Sequence, residues 1–153
     1  MENQKILKVL VNLAQLDIDA ENAYGQALTH INNKEYYEQI AKFRDDHLDH
    51  INDLSSLIRA YGGKSPERTL DFTGYLIEGF TSLRSVTGLI GALKAMEMNE
   101  ILTNKIYKDT LSSEDSKNWP EDILSAVKKN YFDEVKHLAY IRDILKILES
   151  EQQ

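Results

Sequence analysis

A chain of 153 residues, 42% hydrophobic and 28% charged, has the length and composition of one globular domain. A domain of this size buries about two-thirds of its unfolded surface and needs no disulfide or zinc staple. The absence of Cys excludes disulfides, iron–sulfur clusters, thiolate zinc sites and cysteine nucleophiles, leaving any metal chemistry to carboxylates and imidazoles. A net charge of -7 and a pI near 5.1 argue against nucleic acid as a partner and are compatible with drawing in cations.

The start, Met1-Glu2-Asn3-Gln4-Lys5, has no long apolar run behind it, so no leader is expected. A first helix is predicted over 3–31, with His30 at its end as a surface or capping residue. Asn32-Asn33 forms a turn, and Asn32 with Glu35 makes a cap with an acid three residues on. A second helix is predicted over 33–61. It stops at Tyr61-Gly62-Gly63-Lys64-Ser65-Pro66, the strongest breaker in the chain. Leu70 to Thr87 reads as a crossover with its own helix. The longest weakly polar stretch, Gly74 to Leu93, is broken by Glu78, Arg84 and four glycines, so no membrane span is expected. A third helix is predicted over 88–111, then a polar loop from Ser112 to Pro120. Pro120, Glu121 and Asp122 suit the first turn of a fourth helix over 120–150. The expectation is one all-α domain, 1–153, with a long, partly helical crossover between helices two and three, located in the cytoplasm.

The apolar stripes, written at alternating spacings of three and four, carry the chemistry. Helix one gives Ile6, Leu10, Leu13, Asp17, Ala20, Tyr24 and Ala27. Helix two gives Ile40, Phe43, His47, His50, Leu54, Leu57 and Tyr61. Helix three gives Leu89, Leu93, Met96, Glu100, Thr103 and Tyr107. Helix four gives Val127, Asn130, Glu134, His137, Ile141, Ile144 and Leu148. Each seam is interrupted near its middle by ionisable groups, and the interruptions repeat. Helices one and three share an acid followed seven residues later by Tyr, Asp17…Tyr24 and Glu100…Tyr107. Helices two and four share pairs ending in His, His47-x-x-His50 and Glu134-x-x-His137.

Residues at i and i+3 lie on one helical face, so two such pairs and two single acids could supply six inward ligands to one compact volume. Imidazole with carboxylate suits iron, manganese or zinc better than magnesium or calcium. Tyr24 and Tyr107, two turns on, are within reach of the ligands as orienting groups. The competing arrangement is a metal-free network of three acids facing three imidazoliums. Each buried ion costs several kcal/mol in desolvation, which argues for a use. The Met96 and Met98 neighbourhood is expected in the core, and Asp45, Asp46 and Asp49 on a solvated face.

These residues resemble the ferritin-like superfamily of carboxylate-bridged di-metal four-helix bundles, whose pattern is one Glu from each of two helices and Glu-x-x-His from each of the other two. The resemblance spans nearly the whole chain and includes the acid-to-Tyr spacing of seven. Phe43-Arg44-Asp45-Asp46-His47, Leu76-Ile77-Glu78-Gly79-Phe80 and Leu93-Lys94-Ala95-Met96…Asn99-Glu100 are similar to small bacterial ferritin-like proteins. It implies a ferritin-like bundle with Asp17 and Glu100 as the single acids, Glu134 as a bridging acid, and His50 and His137 as the paired histidines. Asp17 is one methylene short of the usual Glu, and His47 stands where the second bridging Glu belongs. Three carboxylates leave one positive charge uncompensated against two divalent cations. Hydroxide, a bound anion such as peroxide, or Asp46 or Glu97 would complete the balance, or one position stays weak or empty. There is no Cys for a rubredoxin module, and with the sequence ending soon after helix four a storage cage is not expected.

The implied function is a di-metal protein in stress or iron handling that reacts with dioxygen or peroxide. It would hold two iron ions, or manganese or zinc, on Asp17, His47, His50, Glu100, Glu134 and His137. The alternative is a non-enzymatic helical stress or protein-interaction protein with a structural or absent metal. A zinc or manganese hydrolase is less supported, since nothing supplies an oxyanion donor set. A homodimer is expected, through the crossover with Phe72, Tyr75 and Phe80 or through an outer helix face.

Overall fold

The computed structural model describes residues 2–67 and 88–152. Four long helices account for most of them: α1 Glu2–Leu28, α2 Lys34–Ala60, α3 Gly88–Ser112 and α4 Glu121–Glu151. A 3₁₀ turn, Asp115–Asn118, lies within the predicted polar loop between α3 and α4. No strand occurs among the described residues, so the chain is an all-α four-helix bundle. None of its described helices is long and apolar enough to cross a membrane. The predicted crossover helix from Leu70 to Thr87, with the aromatic residues Phe72, Tyr75 and Phe80, lies outside the described residues.

The helix ends follow local chemistry. The first helix stops at Leu28, short of the predicted 31, and His30 lies in the turn that follows. Asn33, not Asn32, caps α2: its side chain accepts the Tyr36 amide at 3.0 Å and satisfies one orphan donor of the first turn. At the other end of α2, the Gly62 amide donates to Arg59 and the Gly63 amide to Ile58, at 3.1 and 2.8 Å. This paired closure requires a left-handed residue, and Gly62 has φ +84°. Pro120, predicted within the first turn of α4, instead takes the capping position just before it.

α1 packs on α2 and α3 on α4, forming two hairpins that meet along α1–α3 and α2–α4. Across the α1–α3 seam Asp17 meets Tyr107 while Tyr24 meets Glu100, so these helices run antiparallel. Across α2–α4 His50 meets Asp133 while Asp46 meets His137, again antiparallel. With α1 and α2 joined by a short turn, α2 and α3 then run parallel. The end of one and the start of the other lie at opposite ends of the bundle, as a long crossover requires.

Two apolar clusters fill the interior. One gathers Tyr24, Ala27, Ile40, Phe43, Leu93, Met96, Ile141 and Ile144, and the other Ile6, Leu10, Leu13, Leu54, Ile58, Ile123 and Val127. The stripe phase holds on α1, where all seven predicted positions are buried. On α2 it drifts past Leu54, and Ile58 is buried where Leu57 was expected. This slip follows from a helix of 3.6 residues per turn read with a period of 3.5. Met96 is core, but Met98 is 58% exposed and correctly belongs to the surface, because two residues turn a helix by some 200°. Between the two apolar clusters lies a polar layer.

Candidate metal centre

All six predicted ligands occupy that layer, and none is more than 1% exposed. They fall into two overlapping sets of four: Asp17, His47, His50 and Glu134, and His47, Glu100, Glu134 and His137. Each set offers one donor atom per residue, all within 4.8 Å of one another, and each could hold a metal ion. Their placement follows from the seams: an acid near the middle of α1 and α3, and an i, i+3 pair near the middle of α2 and α4.

In the first set, Asp17 Oδ1 is 2.8 Å from His47 Nδ1 and 3.0 Å from His50 Nδ1. Glu134 Oε1 lies 3.3 Å from the same nitrogen of His47 and 3.4 Å from that of His50. In the second set, Glu100 Oε1 is 3.5 Å from His47 Nε2 and 3.6 Å from His137 Nδ1. Glu134 turns its other oxygen, Oε2, to within 3.4 Å of His137 Nδ1. Donors 2.0–2.1 Å from a tetrahedral ion stand about 3.3–3.4 Å apart, so the Glu134 and Glu100 spacings are close to the edges of coordination tetrahedra, while the Asp17 contacts are shorter, at hydrogen-bond length. Both oxygens of Glu134, Glu100 Oε2, His47 Nε2 and His137 Nδ1 are buried without a hydrogen-bond partner among the protein's groups. Buried acceptors and donors that face one another without partners could be satisfied by a shared cation.

Orienting groups are arranged reciprocally. Tyr24 on α1 donates to Glu100 Oε1 on α3, and Tyr107 on α3 donates to Asp17 Oδ2 on α1, both at 2.5 Å. Asn130 in turn donates to the Tyr107 hydroxyl at 3.4 Å. The outer ring nitrogens are held the same way: His50 Nε2–H donates to Asp133 and His137 Nε2–H to Asp46, each at 2.9 Å. A carboxylate behind a histidine fixes its tautomer and aims the other nitrogen inward. Asp46 therefore does not belong wholly to a solvated face as the stripes suggested. It is 31% exposed and anchors His137, whereas Asp45 and Asp49 are exposed. Asp133 was not singled out by the stripes, because it points one residue off the seam. The signal was present as a repeat one residue longer than the i, i+3 pair: Asp46-His47-x-x-His50 and Asp133-Glu134-x-x-His137.

Without a cation the layer is an ion network. Burial disfavours charge on Asp17, but the His50 and His47 imidazoles outweigh it and hold its carboxyl at about 2. Burial likewise opposes charge on Glu100, yet the His137 and His47 imidazoles beside it hold it well below the usual carboxylate range. Burial lowers His47, but the charge of Glu134 and the Asp17 bond raise it to about 9. His50 and His137 overcome their own burial through their acids and reach about 12 and 11. Glu134 is pushed up by burial and by the nearby Glu100 charge. Burial and the neighbouring carboxylates raise both Tyr24 and Tyr107, so they stay protonated donors.

A protein family described as Domain of unknown function (DUF2383) matches residues 5–113. The chain belongs to the DUF2383 family. That match takes in α1 from residue 5, α2 and α3, and with them Asp17, Tyr24, His47, His50, Glu100 and Tyr107 of the polar layer. Glu134 and His137, which complete the two sets, lie beyond the DUF2383 match. No curated protein matches the chain.

Proposed function

We propose that this DUF2383 protein is a ferritin-like, dinuclear metal protein, with iron the favoured ion and manganese or zinc the alternatives, that reacts with dioxygen or peroxide. The observation that carries the proposal is the pair of four-donor sets, two nitrogens and two oxygens each, spaced like coordination tetrahedra in a buried layer. Mixed imidazole and carboxylate donors suit these ions better than magnesium or calcium. Asp17, His50, Glu134 and His47 would hold one ion, and Glu100, His137, Glu134 and His47 the other.

When bound, iron would supply electrons and Lewis acidity to the oxidant. The chain's own part is orientation and exclusion. Asp46 and Asp133 keep the protons of His137 and His50 on Nε2, leaving Nδ1 of each for the ion. Tyr24 and Tyr107 each occupy one carboxylate oxygen and hold a proton within 2.5 Å of a ligand atom. Apolar clusters above and below keep water from the layer. The Asp17-for-Glu and His47-for-Glu departures separate this site from a standard four-carboxylate centre.

Aerobic titration with Fe(II), followed by absorbance and by metal content after desalting, tests the proposal. The expected result is stoichiometric oxidation, lost in the His50→Ala/His137→Ala double variant. No uptake by the wild type, or full uptake by the double variant, overturns it. A second function is favoured by the close acid–imidazole contacts at Asp17, 2.8 and 3.0 Å: a metal-free ion network in a non-enzymatic interaction protein. Melting that is indifferent to iron and chelator would select it. We also place the protein in the cytoplasm as a homodimer, with exposed Phe132 and Ile147 of α4 as apolar surface for self-association.

A further inference from the structure

Two side chains belong to both sets, and they share them differently. Glu134 presents one oxygen to each. His47 presents opposite edges of one ring: Nδ1 faces Asp17 and Glu134, and Nε2 faces Glu100. The ring is fully buried, and its Nε2 has no hydrogen-bond partner, unlike the Nε2 atoms of His50 and His137, which are tied to acids. It is also closed in by rings, with centroids 5.1 Å from both Tyr24 and His137 and 5.5 Å from His50.

We propose that His47 bridges the two metal positions as an imidazolate, with Nδ1 on the ion held by Asp17, His50 and Glu134, and Nε2 on the ion held by Glu100, Glu134 and His137. This rests on the dinuclear function proposed above. Two metal–nitrogen bonds form, both ring N–H bonds break, and the protons leave to solvent. The bridge supplies the negative charge that three carboxylates lack: with an imidazolate, four negative charges match two divalent cations. It also sets the spacing. Metal–nitrogen bonds of about 2.0 Å on either side of the ring put the ions roughly 6 Å apart. Two-metal sites of the usual kind hold them about 3.5–4 Å apart.

The test loads the purified full chain with Zn(II), counts ions by native mass spectrometry, and solves the crystal structure of the loaded protein. Two zinc ions roughly 6 Å apart, with Nδ1 on one and Nε2 on the other, are expected. His47→Glu should keep two ions and draw them to about 3.5–4 Å. Two wild-type ions already at that short spacing, or His47 bound to only one of them, overturn the bridge and leave the dinuclear function standing. A single ion in one set overturns the bridge and the dinuclear count together. Absence of bound zinc, repeated with Fe(II) and Mn(II), overturns both proposals.

Discussion

Asp46 and Asp133 act on histidines of the opposite hairpin, so each should govern one metal position. Losing an outer carboxylate of this kind typically weakens metal binding by roughly 10–100-fold. Asp133→Ala should therefore weaken the position built on His50 and spare the other, and Asp46→Ala should do the reverse. Calorimetric titration with Zn(II) would resolve the two steps, and equal weakening of both would contradict the assignment. The same residues fix a pH signature. The raised imidazoles contribute stability that is fully present below about pH 6.5 and is lost as pH rises through about 9 for His47, 11 for His137 and 12 for His50. Asp17 works in the opposite sense, contributing above its ordinary 3.8 and losing the contribution as pH falls towards 2. Metal must displace the imidazole protons, so its affinity rises with pH. Chelator-treated protein should melt lower at pH 9 than at pH 6.5, while the apparent Zn(II) affinity increases over the same interval.

Element by element, the seams were legible because four helices of similar length each carry an apolar phase broken near its middle by the site, with a slip only beyond Leu54 on α2. Asp17, Glu100, His47, His50, Glu134 and His137 fall on that phase, and the spacing of seven placed Tyr24 and Tyr107 two turns away. What spacing along one helix does not contain is which neighbour a side chain meets. Tyr24 serves Glu100 rather than Asp17 of its own helix, and the distinction is made by antiparallel packing of α1 on α3. Asp133 was hidden for a related reason: it lies off the seam of α4, and its use appears only once α2 is alongside. Helix ends were displaced by up to three residues where caps rather than periodicity decide, as at Leu28 and Asn33. The stop of α2 offers a direct check. Gly62 holds φ +84° with open space around its Cα, so Gly62→Ala should cost about 1–2 kcal/mol through backbone conformation alone. Thermal melting should fall while zinc stoichiometry stays unchanged.

For the molecule as a whole, the polar layer couples occupancy to folding. A ligand at a hundred times its dissociation constant stabilises the native state by about 2.7 kcal/mol. For a domain of this size that corresponds to a rise in melting temperature of roughly 5–10 °C. Differential scanning calorimetry with Zn(II) against a chelator control would show it, and coincident curves would argue that no ion is held in the folded state. The layer also divides unevenly between the hairpins. Three donors of each set come from one hairpin, and the fourth crosses over: Glu134 from α4 in the first set and His47 from α2 in the second. Neither half of the chain owns a full coordination sphere. The cations would thus act as a clasp across the α1–α3 and α2–α4 seams, and stripping them should let the halves part before either half unwinds. Amide exchange would then quicken first along those inward-facing seams, with the hairpin turns last to change.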